Sequence, residues 1–300
     1  MNRAVLALIL ASVLWGTTGT AASRMTGVSP VAIGASTMAV GGALLFGASA
    51  RVSMRALRDR AARRWVLLGA VGVVVYPLAF YTGMHLAGIA IGNVVALGSG
   101  PAFAALLEWI LGGRRPGPRW LAATGVAVAG VVVLGVAGRA SPRATGAPGQ
   151  EVAVGLLLAL AAGAAYALYT YSAGRVTALG HGGRAAMGGT FGVGAVILLP
   201  ILLATGGPIL ADDRTIALAA YLAIGPMLLA YLLFGVGIRS LRSTVVTTIT
   251  LLEPIVATVL AVVVVGERLT AAGWTGIALI GLGVGVLISA PPAPEVERHP

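Results

Sequence analysis

The sequence predicts an all-α membrane protein whose ten transmembrane helices form two inverted five-helix repeats. Three observations predict it. The composition is too apolar for a watery exterior, ten apolar windows have membrane-spanning length, and a residue pattern recurs about 150 positions later in a segment of opposite sense.

Of 300 residues, 58% are hydrophobic and 10% charged, whereas a soluble domain carries about 25% charged residues. A soluble chain of this size would have a large polar exterior to fill, so lipid must solvate much of this one. The absence of cysteine excludes disulfides and thiolate metal clusters. The net charge of +11 comes from arginine alone. Its arginines sit in short clusters between apolar segments, as topology signals do, and no nucleic-acid motif accompanies them.

A transmembrane helix needs about 20 mostly apolar residues. Windows of that kind fall at approximately 4–22, 31–50, 65–86, 89–112, 120–138, 152–174, 184–204, 216–236, 244–265 and 272–290, here called spans 1 to 10. Arg3 and the small residues near Ala21 and Ala22 give span 1 some signal-peptide character. The repeat needs it as a helix, so it is read as a span. With both termini cytoplasmic, fifteen of the twenty arginines fall inside, and Arg24, Arg139, Arg143, Arg214 and Arg268 fall outside. That is a clear positive-inside bias, and it puts Asp212 and Asp213 outside.

The Gly/Pro/Ser-rich stretch GRASPRATGAPGQ at 138–150 reads as an exposed connection. Residues 1–138 and 152–290 are expected to be the repeats, 139–151 the linker and 291–300 a disordered cytoplasmic tail. Laying Pro101 over Pro254 aligns Ala104 with Ala257, Leu107 with Leu260, Gly113 with Gly266 and Arg115 with Arg268. Trp120 and Trp274 open the following helices, and Gly125 and Gly130 answer Gly276 and Gly281 after a small gap. Five crossings per repeat invert the second copy, the architecture of secondary transporters with a site at the repeat interface.

The residues LWG at 14–16, LLEPIVATVLAVVVVGERLT at 251–270 and WTGIALIGLGVGVLI at 274–288 resemble the EamA-type repeat of the drug/metabolite transporter superfamily. The resemblance covers both halves and is most specific at spans 9 and 10. It implies the ten-helix EamA fold, a multi-pass place in the bacterial inner membrane and export of small metabolites. Similarity to amino-acid exporters of the superfamily narrows the implied cargo to aromatic and other neutral amino acids. The first half departs from the pattern. It has Gly100 where the second has Glu253, and Gly113-Arg114-Arg115 where the second has Gly266-Glu267-Arg268.

Glu108 and Glu253 are the carboxylates within predicted spans. A charged carboxylate at a helix centre costs about 2.5–3.5 kcal/mol on insertion scales. Glu253 is therefore either a protonated hydrogen-bond donor beside Pro254 or a carboxylate facing water, an arginine or a substrate ammonium. The first reading is structural and the second means proton or substrate coupling. Glu108 lies within snorkelling reach of Arg114 and Arg115 and reads as structural. Prolines 77, 101, 226 and 254 deprive the carbonyls of Val73, Leu97, Leu222 and Thr250 of their donors. Pro77, Pro101, Pro226 and Pro254 are thus candidate hinges, or plain kinks that must face protein or a wet cavity.

Helical spacing groups Ser12 with Trp15 and Thr18, Tyr81 with His85, Tyr166 with Tyr169, and Thr247 with Thr250 and Glu253. The candidate substrate-binding residues are Trp15, Tyr81, His85, Asn93, Ser99, Tyr166, Tyr169 and Glu253. Each aromatic has a competing reading as an interface anchor or packing residue, and Asn93 and Ser99 one as interhelical bridges. Gly188 with Gly192, and Gly281 with Gly285, have the spacing for close helix approach, read first as internal packing and hence a monomer.

The function expected is a secondary carrier working by alternating access between a small-molecule substrate and the lipid bilayer. Proton coupling is carried by one reading of Glu253. A carrier for a drug, nucleotide-sugar or other metabolite is the nearest alternative, and a channel, receptor or intramembrane enzyme is further off. No Walker motif, HExxH or GxSxG occurs, so neither catalytic residue, metal nor cofactor is expected.

Overall fold

A computed structural model of the chain describes residues 3–113, 117–140, 149–240, 249–250 and 252–288. These residues form helices joined by short turns, with no strand among those described. Among the described residues, seven helices are long and apolar enough to cross a membrane, and three shorter apolar helices make up the ten. Span 1 is Arg3–Gly16 and Thr18–Ser23, span 2 Pro30–Gly47, span 3 Arg60–Ala87, span 4 Ile89–Gly112 and span 5 Pro118–Ala140. Span 6 is Gly149–Ala178, span 7 Gly183–Thr205, span 8 runs from Asp213 to Ser240, span 9 comprises Leu252–Leu260 and Ala261–Val265, and span 10 is Ala271–Ile288. The tail, most of the expected linker, Thr247, Arg114, Arg115 and the expected start of span 9 lie outside the described residues.

Side chains cap several helix starts, where backbone N–H groups lack intrahelical acceptors. Ser29 accepts from Ala32 N at the head of span 2, with Pro30 at the first helical position. Asp59 accepts from Ala61 N (2.9 Å) to start span 3, and Asp212 from Thr215 N (2.8 Å) to start span 8. Span 3 consequently starts at Arg60, ahead of the expected edge at 65. Before it lies a surface helix, Ala50–Arg58, where the sequence reading has an arginine-rich loop. Arginine and alanine are good helix formers. The helix buries Ser53 and Ala56, leaves Arg51, Arg55 and Arg58 exposed, and packs on span 7.

The packing of the spans carries the repeat. Span 2 lies against span 7 and span 5 against span 10; adding or subtracting five exchanges each pair into itself. Span 3 packs on span 6 and span 1 on span 8, span 4 on span 6 and span 1 on span 9, span 3 on span 7 and span 2 on span 8. Every one of these contacts has its mate under the exchange. The halves are therefore related by a pseudo-twofold axis running between spans 2 and 7 and between spans 5 and 10. Because five crossings leave the chain on the opposite side, the axis lies in the membrane plane. Without a hydrophobic drive between helices in lipid, small residues let backbones approach. A Cβ at Gly130 would lie 2.7 Å from the Gly276 carbonyl oxygen, closing spans 5 and 10. Gly188 and Gly192 admit Ser49 and Phe46 in the same way, so that glycine pair is spent inside the bundle. Gly281 is placed differently, since a Cβ there would meet no atom within 4 Å.

Candidate substrate site

Trp15 and Gly16 end the first stretch of span 1 where spans 8 and 9 converge on it. A Cβ on Gly16 would lie 2.7 Å from the Val256 Cβ and 3.0 Å from the Glu253 carbonyl oxygen, so a larger residue would push span 9 away. Ser12, one turn earlier, donates to the Leu8 carbonyl (2.8 Å) and leans toward that of Ile249 on span 9 (3.4 Å). The indole N–H of Trp15 donates to the Pro226 carbonyl oxygen at 2.9 Å. Pro226 sits in a π turn, Ala223–Leu229, that interrupts span 8. A proline cannot supply the ladder's N–H, the helix widens around it, and such turns recur at functional positions.

From Trp15 a chain of rings crosses the bundle. Its indole packs on Tyr231 (5.3 Å between centroids) and Phe234 (5.6 Å) of span 8. Tyr231 meets Phe191 of span 7 at 5.2 Å, and Phe191 meets Tyr169 of span 6 at 5.3 Å. Tyr169 touches Tyr166 (5.2 Å) and Tyr76 of span 3 (6.0 Å), and Tyr76 stacks on Phe80 at 5.1 Å. Edge-to-face and offset pairs of this kind each add about 0.5–1.5 kcal/mol to their area burial. The hydroxyls of Tyr169 and Tyr231 bond each other at 3.1 Å.

Glu253 is half-buried on span 9 and makes no ion pair among the described residues. Its carboxyl lies within electrostatic reach of Tyr76, Tyr166 and Tyr231. Gly100, its counterpart on span 4, also faces the cluster, since a Cβ there would lie 3.0 Å from Cδ1 of Tyr166. Such a wall of π faces with one carboxyl can hold an amphipathic molecule that carries a cationic group.

The structure thus brings together Trp15, Tyr166, Tyr169 and Glu253 and places the other candidates elsewhere. Tyr81 is buried against span 2, its hydroxyl 3.3 Å from that of Thr37, and touches the cluster through Phe80 at 5.6 Å. His85 is exposed. Ser99 bonds back to the Ala96 carbonyl (3.2 Å) and fills the space beside Gly163, a helix seam. Asn93 is 1% exposed, and neither its amide oxygen nor its nitrogen has a hydrogen-bond partner among the described residues. An unsatisfied buried amide is costly, and Asn93 remains a candidate for a polar ligand group. Among the prolines, Pro77 lies inside span 3 with its carbonyl against Gly34, and Pro101 inside span 4. Pro254 stands in the first turn of Leu252–Leu260. The sequence reading missed Tyr76, Phe80, Phe191, Tyr231 and Phe234. Spacings of four and three, Tyr76 to Phe80 and Tyr231 to Phe234, were the available signal.

The EamA-like transporter family matches residues 2–136 and 153–289, one match in each half. The chain belongs to this family. A relative in Bacillus subtilis (strain 168), the uncharacterized transporter YwfM, is 32% identical over 289 residues, covering 95% of this chain and 93% of that one. An uncharacterized transporter of Clostridium kluyveri is 28% identical over 140 residues, 46% of this chain and 45% of its own. One solved crystal structure superposes with a TM-score of 0.62 at 25% identity, covering 94% of this chain and 95% of the other. In this EamA-like transporter, both halves contribute to the ring cluster: spans 1 and 3 from the first, spans 6, 7 and 8 from the second. It is a multi-pass membrane protein whose family points to transport of small molecules.

Proposed function

We propose that this EamA-like transporter is a secondary carrier that exports aromatic and other neutral amino acids by alternating access. The observation that carries the reading is a ring cluster shared by five spans, with Glu253 on span 9 packed beside Gly16, the neighbour of Trp15. The ammonium of the amino acid meets Glu253, and its side chain lies on the rings. A carboxylate inside the membrane needs a partner, so Glu253 exchanges its proton for the ammonium and couples the two movements. The Trp15–Pro226 bond and the π turn give span 8 a bending point. The arginine excess supports a topology with both termini and the surface helix on the cytoplasmic side of a bacterial inner membrane. The repeats are 1–138 and 152–290, joined by 139–151, and the carrier works as a monomer.

A second reading, an organic cation as cargo, is favoured by the absence of an ion-pair partner for Glu253 among the described residues, since an amino acid also brings a carboxylate. Counterflow of radiolabelled phenylalanine in proteoliposomes, with phenethylamine as competitor, tests both. Saturable phenylalanine counterflow that Glu253→Gln abolishes is expected. Counterflow of the amine alone would transfer the site to cations. Non-saturating flux would make the protein a channel, and no flux of either compound would sink the proposal.

A further inference from the structure

Span 4 begins at Ile89, directly after Gly88, whose φ of +93° turns the chain sharply out of span 3. Gly88 has no side chain with which to cap, and the first turn of span 4 holds no acid. Two N–H groups of that turn are instead taken by a residue of the other repeat. Glu267, in the turn between spans 9 and 10, accepts from Ile89 N through Oε1 (2.5 Å) and from Ala90 N through Oε2 (3.1 Å). A carboxylate at a helix N-terminus is favoured by the helix dipole, and both bonds are charge-assisted. Arg24, at the end of span 1, adds a second strut by donating to the Val264 carbonyl at 2.8 Å. One end of the bundle therefore has spans 1, 4 and 9 bound together, at the side opposite the arginine-rich surface helix.

The inverted copy has no carboxylate at the matching position. Register places Gly113-Arg114-Arg115 where the second repeat has Gly266-Glu267-Arg268, and arginine has no acceptor to offer a helix N-terminus. The burial of span 4 follows the same polarity. Its buried residues run from Ile89 to Gly100, and none lies beyond Pro101.

We propose that Glu267 is the tether of the outer gate. It holds spans 4 and 9 together across the repeat boundary, makes the outward-closed state the resting one, and must release Ile89 and Ala90 before cargo can leave. The inference rests on the carrier reading above and extends it to a positioning residue that touches no substrate.

The cysteine-free chain offers a direct test. Ala22→Cys reports the tethered end, since Ala22 packs on the cluster that contains Ile89 and Ala90. Ala105→Cys reports the far half of span 4. Each is placed in the native and the Glu267→Gln backgrounds and labelled with a charged maleimide in nanodiscs, where both faces are accessible. Glu267→Gln keeps the shape and removes the charge. Labelling of Ala22→Cys should rise about tenfold, the change in population expected when two charge-assisted bonds weaken, while labelling of Ala105→Cys falls. An unchanged rate at Ala22→Cys would overturn the proposal. So would both rates rising together, which would make Glu267 a general structural cap. No substrate enters this readout. Failed counterflow with intact gating would count against the cargo reading alone, and unchanged labelling with intact counterflow against the tether alone.

Discussion

At equivalent points of the two repeats, span 4 has Gly100, whose bare backbone faces Tyr166, and span 9 has Glu253. The surrounding backbones correspond in the contacts that relate the halves, spans 3 and 6 with 1 and 8, 4 and 6 with 1 and 9, and 3 and 7 with 2 and 8. The side chains do not. On one side of the pseudo-axis the ring packs against a bare backbone, and on the other it senses a carboxyl. Alternating access, as proposed above, would use that symmetry to give two arrangements related by exchange of the halves. The departures from symmetry supply chemistry and direction. Glu267 against Arg114 repeats the lesson in the adjoining turns.

The largest effect should follow removal of the asymmetry at the rings. Glu253→Gln leaves volume almost unchanged but takes away the partner proposed for the ammonium, and hydrogen bonds to charged groups are worth about 1.5–3 kcal/mol. Counterflow affinity for phenylalanine should fall about tenfold to a hundredfold while the melting temperature in detergent stays put. If affinity and pH dependence persist, the proton of Glu253 is a structural one and the contrast with Gly100 concerns packing. Trp15→Phe comes next. It keeps a ring beside Tyr231 but strands the Pro226 carbonyl, at a cost of about 1–3 kcal/mol, so both thermal stability and turnover should drop. A fall in affinity alone would instead make Trp15 a substrate contact. Gly100→Ala is milder: its Cβ would lie 3.0 Å from the Tyr166 ring, and overpacking of this sort costs about 1–3 kcal/mol unless the ring gives way. Loss of turnover without loss of melting temperature would place that space in the transport path.

Fold and site differ in how far the sequence discloses them. Ten spans and the inverted repeat are legible because lipid imposes one length and one composition on every helix. Trp15, Tyr166, Tyr169 and Glu253 are legible as polar or aromatic groups at helical spacing in apolar windows. Tyr231 and Phe191 are not, since their role depends on which helices meet, which no single helix encodes. The π turn at Pro226 also escapes the reading. The proline foretells a released carbonyl at Leu222, whereas span 8 widens its ladder and offers the carbonyl of Pro226 itself to Trp15. Ser99 and His85 stand apart from the ring cluster because polarity inside a span is equally at home in a helix seam or at its edge.

One correspondence went unread although the sequence holds it. The register that lays Pro101 over Pro254 also lays Asp59 over Asp212, and these residues cap spans 3 and 8 at opposite ends of the bundle. The His181 hydrogen bond, then that from Ala61 N–H, holds the Asp59 carboxyl below its ordinary value of 3.8. The Thr215 hydroxyl, then its N–H, does the same for Asp212. A depressed folded pKa contributes stability that is complete above 3.8 and fades as pH falls through the folded value. Melting temperatures measured from about pH 6 to about pH 2 should therefore show an acid limb that Asp59→Asn and Asp212→Asn each make shallower. Both caps are solvent-exposed, so this is the smallest effect of the series. Equal shallowing would extend the repeat's equivalence to its helix starts. A limb that responds to Asp59→Asn alone would mean that the His181 contact, which has no mate at Asp212, outweighs the shared cap.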